Sequence, residues 1–430
     1  MVIITILYSI IGLLSVICYA RKKYFYSIVF LFALVSNCYN LLPAASITSH
    51  DYIIIFVFCS FLCMGLKHLP KADKIFYPIT LYVVYIFVNA LITTFLGNEE
   101  LVYTLITIRI AFCWFLYYSL SKLDKVVLER LFRFFYKVTI VFSCLYILQY
   151  VMGVCFLYPA KDSISSGFPR YANFPLFLHF FLIYEILHSL RGKRRLWVIC
   201  IFWVAVILIQ AWSGFFSIVI AFLFYYLLIK KKVKQIMGIL LFSCVVCLVL
   251  LLTPFAESIQ EVSTDIARVE FNSENYSEGD GTFTFRIALL AERFEYISSE
   301  PEMLLFGAGP MNENSPKTKK KFNFRITTWV NDYTKQLKID TMDLTWANVL
   351  LKYGLIGVGL FVWQLFRLLY LFKRFAKKDI VALSACLYIF SLLVLSFFSD
   401  LMMPPVIFMI VFIYTYFKKV SYPDLALSRP

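Results

Sequence analysis

Residues 2–23 read VIITILYSIIGLLSVICYA-RKK, an uncharged apolar run closed by Arg21, Lys22 and Lys23. A helix rises about 1.5 Å per residue, so about 20 apolar residues cross a hydrocarbon layer about 30 Å thick. The run has that length. Its positive charges follow the apolar stretch, and no small-residue cleavage site comes after it, so it reads as a span and not as a removable leader.

Working outward, the same unit recurs to the C-terminus. About thirteen apolar runs are expected, over 2–20, 25–43, 51–66, 75–96, 101–121, 134–157, 172–189, 196–212, 214–229, 236–254, 346–371, 379–398 and 404–418. The shortest would be tilted partners or half-spans. Alternate connections are basic: Arg21-Lys22-Lys23; Lys67, Lys71 and Lys74; Lys122, Lys125, Arg130 and Arg133; Arg191 and Lys193-Arg194-Arg195; Lys230-Lys231-Lys232 and Lys234; Lys373-Arg374 and Lys377-Lys378; Lys418-Lys419. The short connections between them carry almost no Lys or Arg. Basic flanks stay cytoplasmic, which places the N-terminus outside, the C-terminus inside and the long segment 255–345 outside.

Composition agrees. Of 430 residues 61% are hydrophobic and 16% charged, against about 25% charged in ordinary soluble domains. A net charge of +15 does not point to nucleic acid, because the basic residues sit in short clusters between apolar runs. The eleven cysteines all fall in apolar segments, so no disulfide framework is legible. Cys244 and Cys247, and Cys59 and Cys63, have no His or carboxylate beside them, and the four histidines are scattered; no metal site and no cofactor is expected. The expected class is an all-α polytopic membrane protein in three parts: 1–254, the extracytoplasmic loop 255–345, and 346–430.

That loop holds fifteen acidic and ten basic residues, a net −5. Segments 257–271 and 284–299 have helical patterning, whereas 272–281 and 311–321 are polar and turn-rich and read as mobile.

Charge inside a span is costly and is by default a functional signal. Arg109 lies eight residues into its run, and either faces a polar cavity or pairs with a neighbour such as Asn89 or Gln149. Glu185 and Lys137 lie near cytoplasmic ends, where snorkelling accounts for them. Arg170, in the outer stretch Gly167-Phe-Pro-Arg-Tyr-Ala-Asn-Phe-Pro175, could grip a phosphate bidentately or act as an interfacial anchor beside Tyr171. Arg286 and Arg293, seven apart, share one helix face with Glu292 and Glu295 close by, and alone they read as a solvated face. Glu300-Pro-Glu-Met-Leu-Leu-Phe-Gly-Ala-Gly-Pro310 follows. Asp343, ahead of Gly354-Leu-Ile-Gly357, could serve as general base on a sugar hydroxyl or as a helix N-cap.

In this order, the elements resemble the bacterial O-antigen polymerase and O-antigen ligase superfamily. Arg170, Arg286, Pro301, Gly307, Gly309, Asp343, Gly354 and Gly357 occupy the places of its arginine-bearing outer loop, loop helix, glycine turn and re-entry helix. The resemblance covers roughly 165–370 at motif level. Two departures stand out: Ser213-Gly214 lacks the arginine often found there, and Asp343 stands where ligases typically have His, which tilts the resemblance toward a polymerase. It implies a bacterial inner-membrane enzyme of the GT-C glycosyltransferase type. Its donor and acceptor would be polyprenyl-diphosphate-linked glycans, with no metal, and a flippase and a chain-length regulator are implied as partners. Asp343 and Arg286 would be catalytic, and Arg170, Arg109 and Arg293 would bind diphosphate. A ligase is the near alternative, and a flippase or secondary transporter the distant one.

Overall fold

A computed structural model describes residues 2–43, 49–64, 76–158, 162–165, 168–171, 173–192, 195–209, 212–230, 271, 273, 282–330, 335–337, 339, 344–401 and 403–421. Each expected span that falls within these residues overlaps a helix. In chain order these are α1 (Val2–Ala20), α2 (Tyr24–Val35), α3 (Ser49–Met64), α4 (Tyr77–Phe95), α5 (Leu101–Leu120, with a 3₁₀ turn over Cys113–Phe115), α6 (Lys125–Met152), α7 (Leu178–Leu190), α8 (Leu196–Leu208) and α9 (Trp212–Phe224). The loop contributes α10 (Thr282–Ser298), α11 (Pro301–Phe306) and α12 (Pro316–Lys321). The C-terminal part adds α13 (Thr345–Phe375), α14 (Ile380–Leu395) and α15 (Pro404–Tyr416). The span expected over 236–254 lies outside the described residues, as does all of the helix expected over 257–271 except Phe271.

The architecture is that of a helical membrane protein. Among the described residues five helices are long and apolar enough to cross a bilayer: Ile3–Ala20, α4, α5, α6 and α13. Six further apolar helices are shorter. Large apolar side chains face outward on the long helices, Ile3 and Phe95 at more than 80% exposure, as lipid-facing positions must. The all-helical expectation needs one amendment. Two antiparallel hairpins are present, β1 (Asp162–Ser165) with β2 (Phe168–Tyr171), and β3 (Thr328–Val330) with β4 (Lys335–Leu337).

Helices in lipid gain nothing from burying apolar surface against one another, so close packing and a few polar bonds hold them. Both are visible. The Ser15 and Ser27 hydroxyls each donate to the other residue's carbonyl at 2.8 Å, fastening α1 to α2. Aromatic rings fill the centre: Phe135 lies 4.8 Å from Phe32 and 5.0 Å from Phe412 in edge-on geometry, and Phe76 stacks on Tyr117 at 4.0 Å. Such pairs add about 0.5–1.5 kcal/mol each beyond area burial.

Two spans are less regular than the hydropathy predicts. The run 25–43 is helical only to Val35; Asn37 to Asn40 then form a left-handed turn with φ between 49° and 62°. The hydroxyl of Ser36 accepts from the Tyr39 N–H at 3.0 Å, and the Asn40 carbonyl accepts from the Tyr158 N–H at 2.7 Å, which helps to hold this strained turn. Helix α13 breaks at Gly354, with φ 60° and ψ −165°. Before the break, Leu344, Ala347, Leu350 and Leu351 pack with Leu289, Ile297, Phe322 and Ile326 as the loop's own core; after it, Phe361, Leu365 and Leu368 belong to the bundle.

Candidate functional site

The break at Gly354 frees carbonyls that an unbroken helix would bond internally. They are taken up by the glycine turn of the loop. The Ala308 N–H donates to Leu351 O at 2.8 Å and the Gly309 N–H to Lys352 O at 3.2 Å. From α4, the Tyr85 hydroxyl donates to Tyr353 O at 2.7 Å, and Asn89 Nδ2 donates to Phe306 O at 2.7 Å. A joint results, in which the turn after α11, the broken helix and the outer part of α4 share one set of hydrogen bonds.

The glycines make the approach possible. A Cβ on Gly307 would lie 2.5 Å from the backbone of Lys352 and Tyr353, and one on Gly354 would lie 2.5 Å from the backbone of Leu305 and Gly307. Both residues hold positive φ, where a side chain is strained in any case. Gly309 is closed off in the same way by the Thr93 side chain. Lys352 is buried beside this joint, a position to which no sequence motif drew notice.

Contrary to the expectation of mobility, 311–321 is docked. Met311, Asn312, Glu313, Ser315 and Thr318 are buried. Their anchor is Glu99, in the turn between α4 and α5. Its carboxylate accepts from Ser315 Oγ (2.5 Å), Thr318 Oγ1 (2.7 Å), the Glu100 N–H (2.9 Å) and the Asn312 N–H (3.3 Å). Burial by itself would push this carboxyl up, but the four donors outweigh it and hold it below its ordinary value. A polar, turn-rich segment looks mobile only while its acceptor, more than two hundred residues away, is out of view.

The expected site residues fall in different places. Arg286 and Arg293 both lie on α10, two turns apart, but differ in environment. Arg293 is 1% exposed, packs its guanidinium 4.0 Å above the Phe324 ring, donates to Ile326 O at 2.8 Å and pairs with Glu292. Desolvation lowers its pKa to about 10. The expected solvated face is corrected at this residue: its charge is enclosed and serves as a strut inside the loop. Glu292 also accepts from the Arg325 N–H at 2.7 Å, and Glu295 accepts from Ser273 Oγ at 2.8 Å.

Arg286 is half-buried. Its segment packs beside the start of α13: Phe285 and Trp346 flank the cluster of Leu289, Leu344 and Ala347, and the Phe283 ring stacks on Phe398 at 5.3 Å. The Thr345 hydroxyl donates to Ser399 O at 3.0 Å and accepts from the Leu401 N–H at 2.7 Å, fixing that start against the turn before α15. Asp343 itself lies outside the described residues. The next residue, Leu344, packs with Leu289 and Ala347.

Arg170 stands in β2 opposite Ser163; its side chain is outside the described set. The hairpin is followed by Asn173, buried against the end of α6 by bonds to Gln149 (2.9 Å) and Leu157 O (2.7 Å). Arg109 pairs with neither Gln149 nor Asn89. Its Nη1 donates to both oxygens of Asp51, at 3.0 and 3.1 Å, with about 30% of each side chain exposed. Asp51, in the first turn of α3, carried no signal of its own, because at a span's end a carboxylate reads as an interfacial residue. Two residues before Arg109, Thr107 accepts from Asn312 Nδ2 at 3.2 Å, so the docked loop covers this part of α5.

Glu185 departs from snorkelling: it is 2% exposed, and its Oε2 has no hydrogen-bond partner among the described residues. Lys137 is exposed as expected.

Compared with known proteins, the chain finds no counterpart: no family model, no curated protein and no solved structure matches it.

Proposed function

We propose that this chain is a glycan polymerase of the O-antigen type. It would transfer a polyprenyl-diphosphate-linked oligosaccharide onto a second lipid-linked glycan at the outer face of a bacterial inner membrane. The observation that carries the reading is the joint. Two glycine motifs that are separate in sequence, Gly307/Gly309 and Gly354/Gly357, form one unit where loop meets bundle, and the Arg286 segment packs at the start of the same broken helix. The reading includes about thirteen spans in a GT-C-like bundle, with the N-terminus outside and the C-terminus inside. A ligase would use the same donor chemistry and differ in acceptor.

The chemistry follows from the residues. The acceptor hydroxyl oxygen attacks the anomeric carbon, the bond from that carbon to the diphosphate oxygen breaks, and the hydroxyl proton passes to Asp343. Negative charge grows on the departing diphosphate, and guanidinium groups at Arg286 and Arg170 meet it without a metal. Arg293 takes no part in this reading, because its guanidinium is enclosed inside the loop.

Chain extension on lipid-linked repeats tests the reading. Arg286→Ala should abolish extension at unchanged abundance, with poor rescue by Lys, whose ammonium lacks the bidentate fork. Asp343→Asn caps a helix as well as Asp but cannot take a proton, so extension should fall by about 10²–10⁴. Full extension in both variants would refute the assignment.

One observation favours a second reading, a secondary transporter. Glu185 is a carboxylate enclosed within the helices, and the Asp51–Arg109 pair adds further charge to the bundle. Proton- or ion-driven solute uptake by reconstituted vesicles, lost in Glu185→Gln, would decide for it.

A further inference from the structure

Helix α12 has the sequence Pro316-Lys-Thr-Lys-Lys-Lys321, and Lys317, Lys319, Lys320 and Lys321 are exposed. Four lysines within five residues are usually a solvated, mobile run. These are not mobile, because Ser315 and Thr318 fix the helix to Glu99 and Lys317 Nζ donates to Gly97 O at 2.9 Å. Gly97 lies in the turn just past the end of α4. The helix ends on either side of that turn expose Phe95 (85%), Leu96 (70%), Leu101 (51%) and Val102 (65%). Apolar side chains so exposed at the ends of two long apolar helices are suited to contact acyl chains, and the Lys317 bond ties the lysine helix to the turn that joins those ends.

We propose that Lys317, Lys319, Lys320 and Lys321 form a platform on the bilayer surface that binds the phosphates of anionic phospholipid headgroups. The inference rests on the helices being embedded in lipid and not on the glycan chemistry proposed above. The geometry has the two parts that headgroup binding needs: an apolar shelf for the acyl chains and, tied to the same turn, a fixed cluster of ammonium groups. The acidic groups near the cluster do not cancel it. Glu99 is buried and turned to its four donors, Glu313 is buried and accepts from the Ile339 N–H, and Glu300 acts on Lys321. The loop as a whole is acidic, so this cluster is where it can meet an anionic membrane without repulsion. Pinning the platform would also hold the joint at Gly354 at a fixed height above the lipid.

The test uses the full chain, purified in detergent and titrated with phosphatidylglycerol or phosphatidylcholine of matched acyl chains, with bound lipid counted by native mass spectrometry. Each lysine near a charged surface contributes about a five-fold gain in affinity. The wild type should therefore prefer phosphatidylglycerol by about ten-fold or more, and K319Q/K320Q/K321Q should lose most of that preference while keeping its melting temperature. Raising the ionic strength from about 0.05 to about 0.5 M should erode the wild-type preference through screening, a readout that does not depend on the variant folding. Equal retention of the two lipids by the wild type, or a preference untouched by both the triple substitution and salt, would overturn the proposal. So would displacement of the lipid by millimolar inorganic phosphate, which would mark a soluble-anion site.

Discussion

Removing the Glu99 carboxylate should release the loop from the bundle. In Glu99→Ala, Ser315 Oγ, Thr318 Oγ1 and the Asn312 N–H lose their acceptor together. Hydrogen bonds to a charged group contribute about 1.5–3 kcal/mol each. Counting the two short hydroxyl bonds and discounting the longer Asn312 bond gives about 3–6 kcal/mol. Every 1.4 kcal/mol is a factor of ten, so the open population of 311–322 should rise about 10²–10⁴-fold. Trypsin reads this directly at Lys317 to Lys321, since cleavage follows the open population while reclosing stays fast. Glu99→Gln, which keeps an acceptor oxygen, should fall between the two. The carboxyl sits lower in the folded protein than in an unfolded chain. Its contribution is therefore complete above the ordinary carboxylate value of about 4.3 and is lost as pH falls through the depressed value. Protection of the amides over 311–322, relative to the intrinsic exchange rate at each pH, should fall on acidification below about pH 4 and stay constant near neutrality. An unchanged tryptic rate in Glu99→Ala would refute the claim that this carboxylate holds the loop.

Three further outcomes follow from the geometry. Gly307→Ala and Gly354→Ala each place a Cβ 2.5 Å from opposing backbone at positive φ; both should lower the melting temperature in detergent by several degrees, equivalent to about 2 kcal/mol or more, while Gly359→Ala, whose Cβ meets nothing within 4 Å, should leave it unchanged. The half-exposed Asp51–Arg109 pair should contribute no more than about 1 kcal/mol in a double-mutant cycle of thermal stability, so a large loss of chain extension in Arg109→Ala at normal stability would assign that guanidinium to the substrate. A cysteine replacing exposed Lys319 should react with an impermeant thiol reagent added outside the cell, and one replacing Ser315 should not, because Ser315 is buried; labelling of Lys319→Cys only after permeabilisation would invert the topology.

Much of the candidate site was readable as a set of parts. The helix over 284–299 and the special status of Gly307, Gly309 and Gly354 follow from local rules, because helix periodicity and the freedom of a residue without Cβ act within a few positions. Asp343 and the Arg170 side chain remain in the reading as sequence motifs. Arg293 was misjudged for a definite reason. A spacing of seven says which helix face it shares with Arg286, but not that Phe324 and Ile326 of a later segment close over one arginine and leave the other half-buried.

The sequence alone determined the class. Lipid offers the backbone no hydrogen-bond partners, so long uncharged runs must become helices, and their length and basic flanks can be counted directly. Tertiary structure decided which polar groups meet. Glu99 and Ser315 are 216 residues apart in sequence and 2.5 Å apart in space. Asp51 reaches Arg109 across 58 residues. The carbonyls freed at Gly354 find donors in a turn 43 residues earlier, Ala308 for Leu351 and Gly309 for Lys352. No local pattern encodes those pairings, because each depends on two helix ends arriving side by side, and that is settled by the packing of the whole bundle.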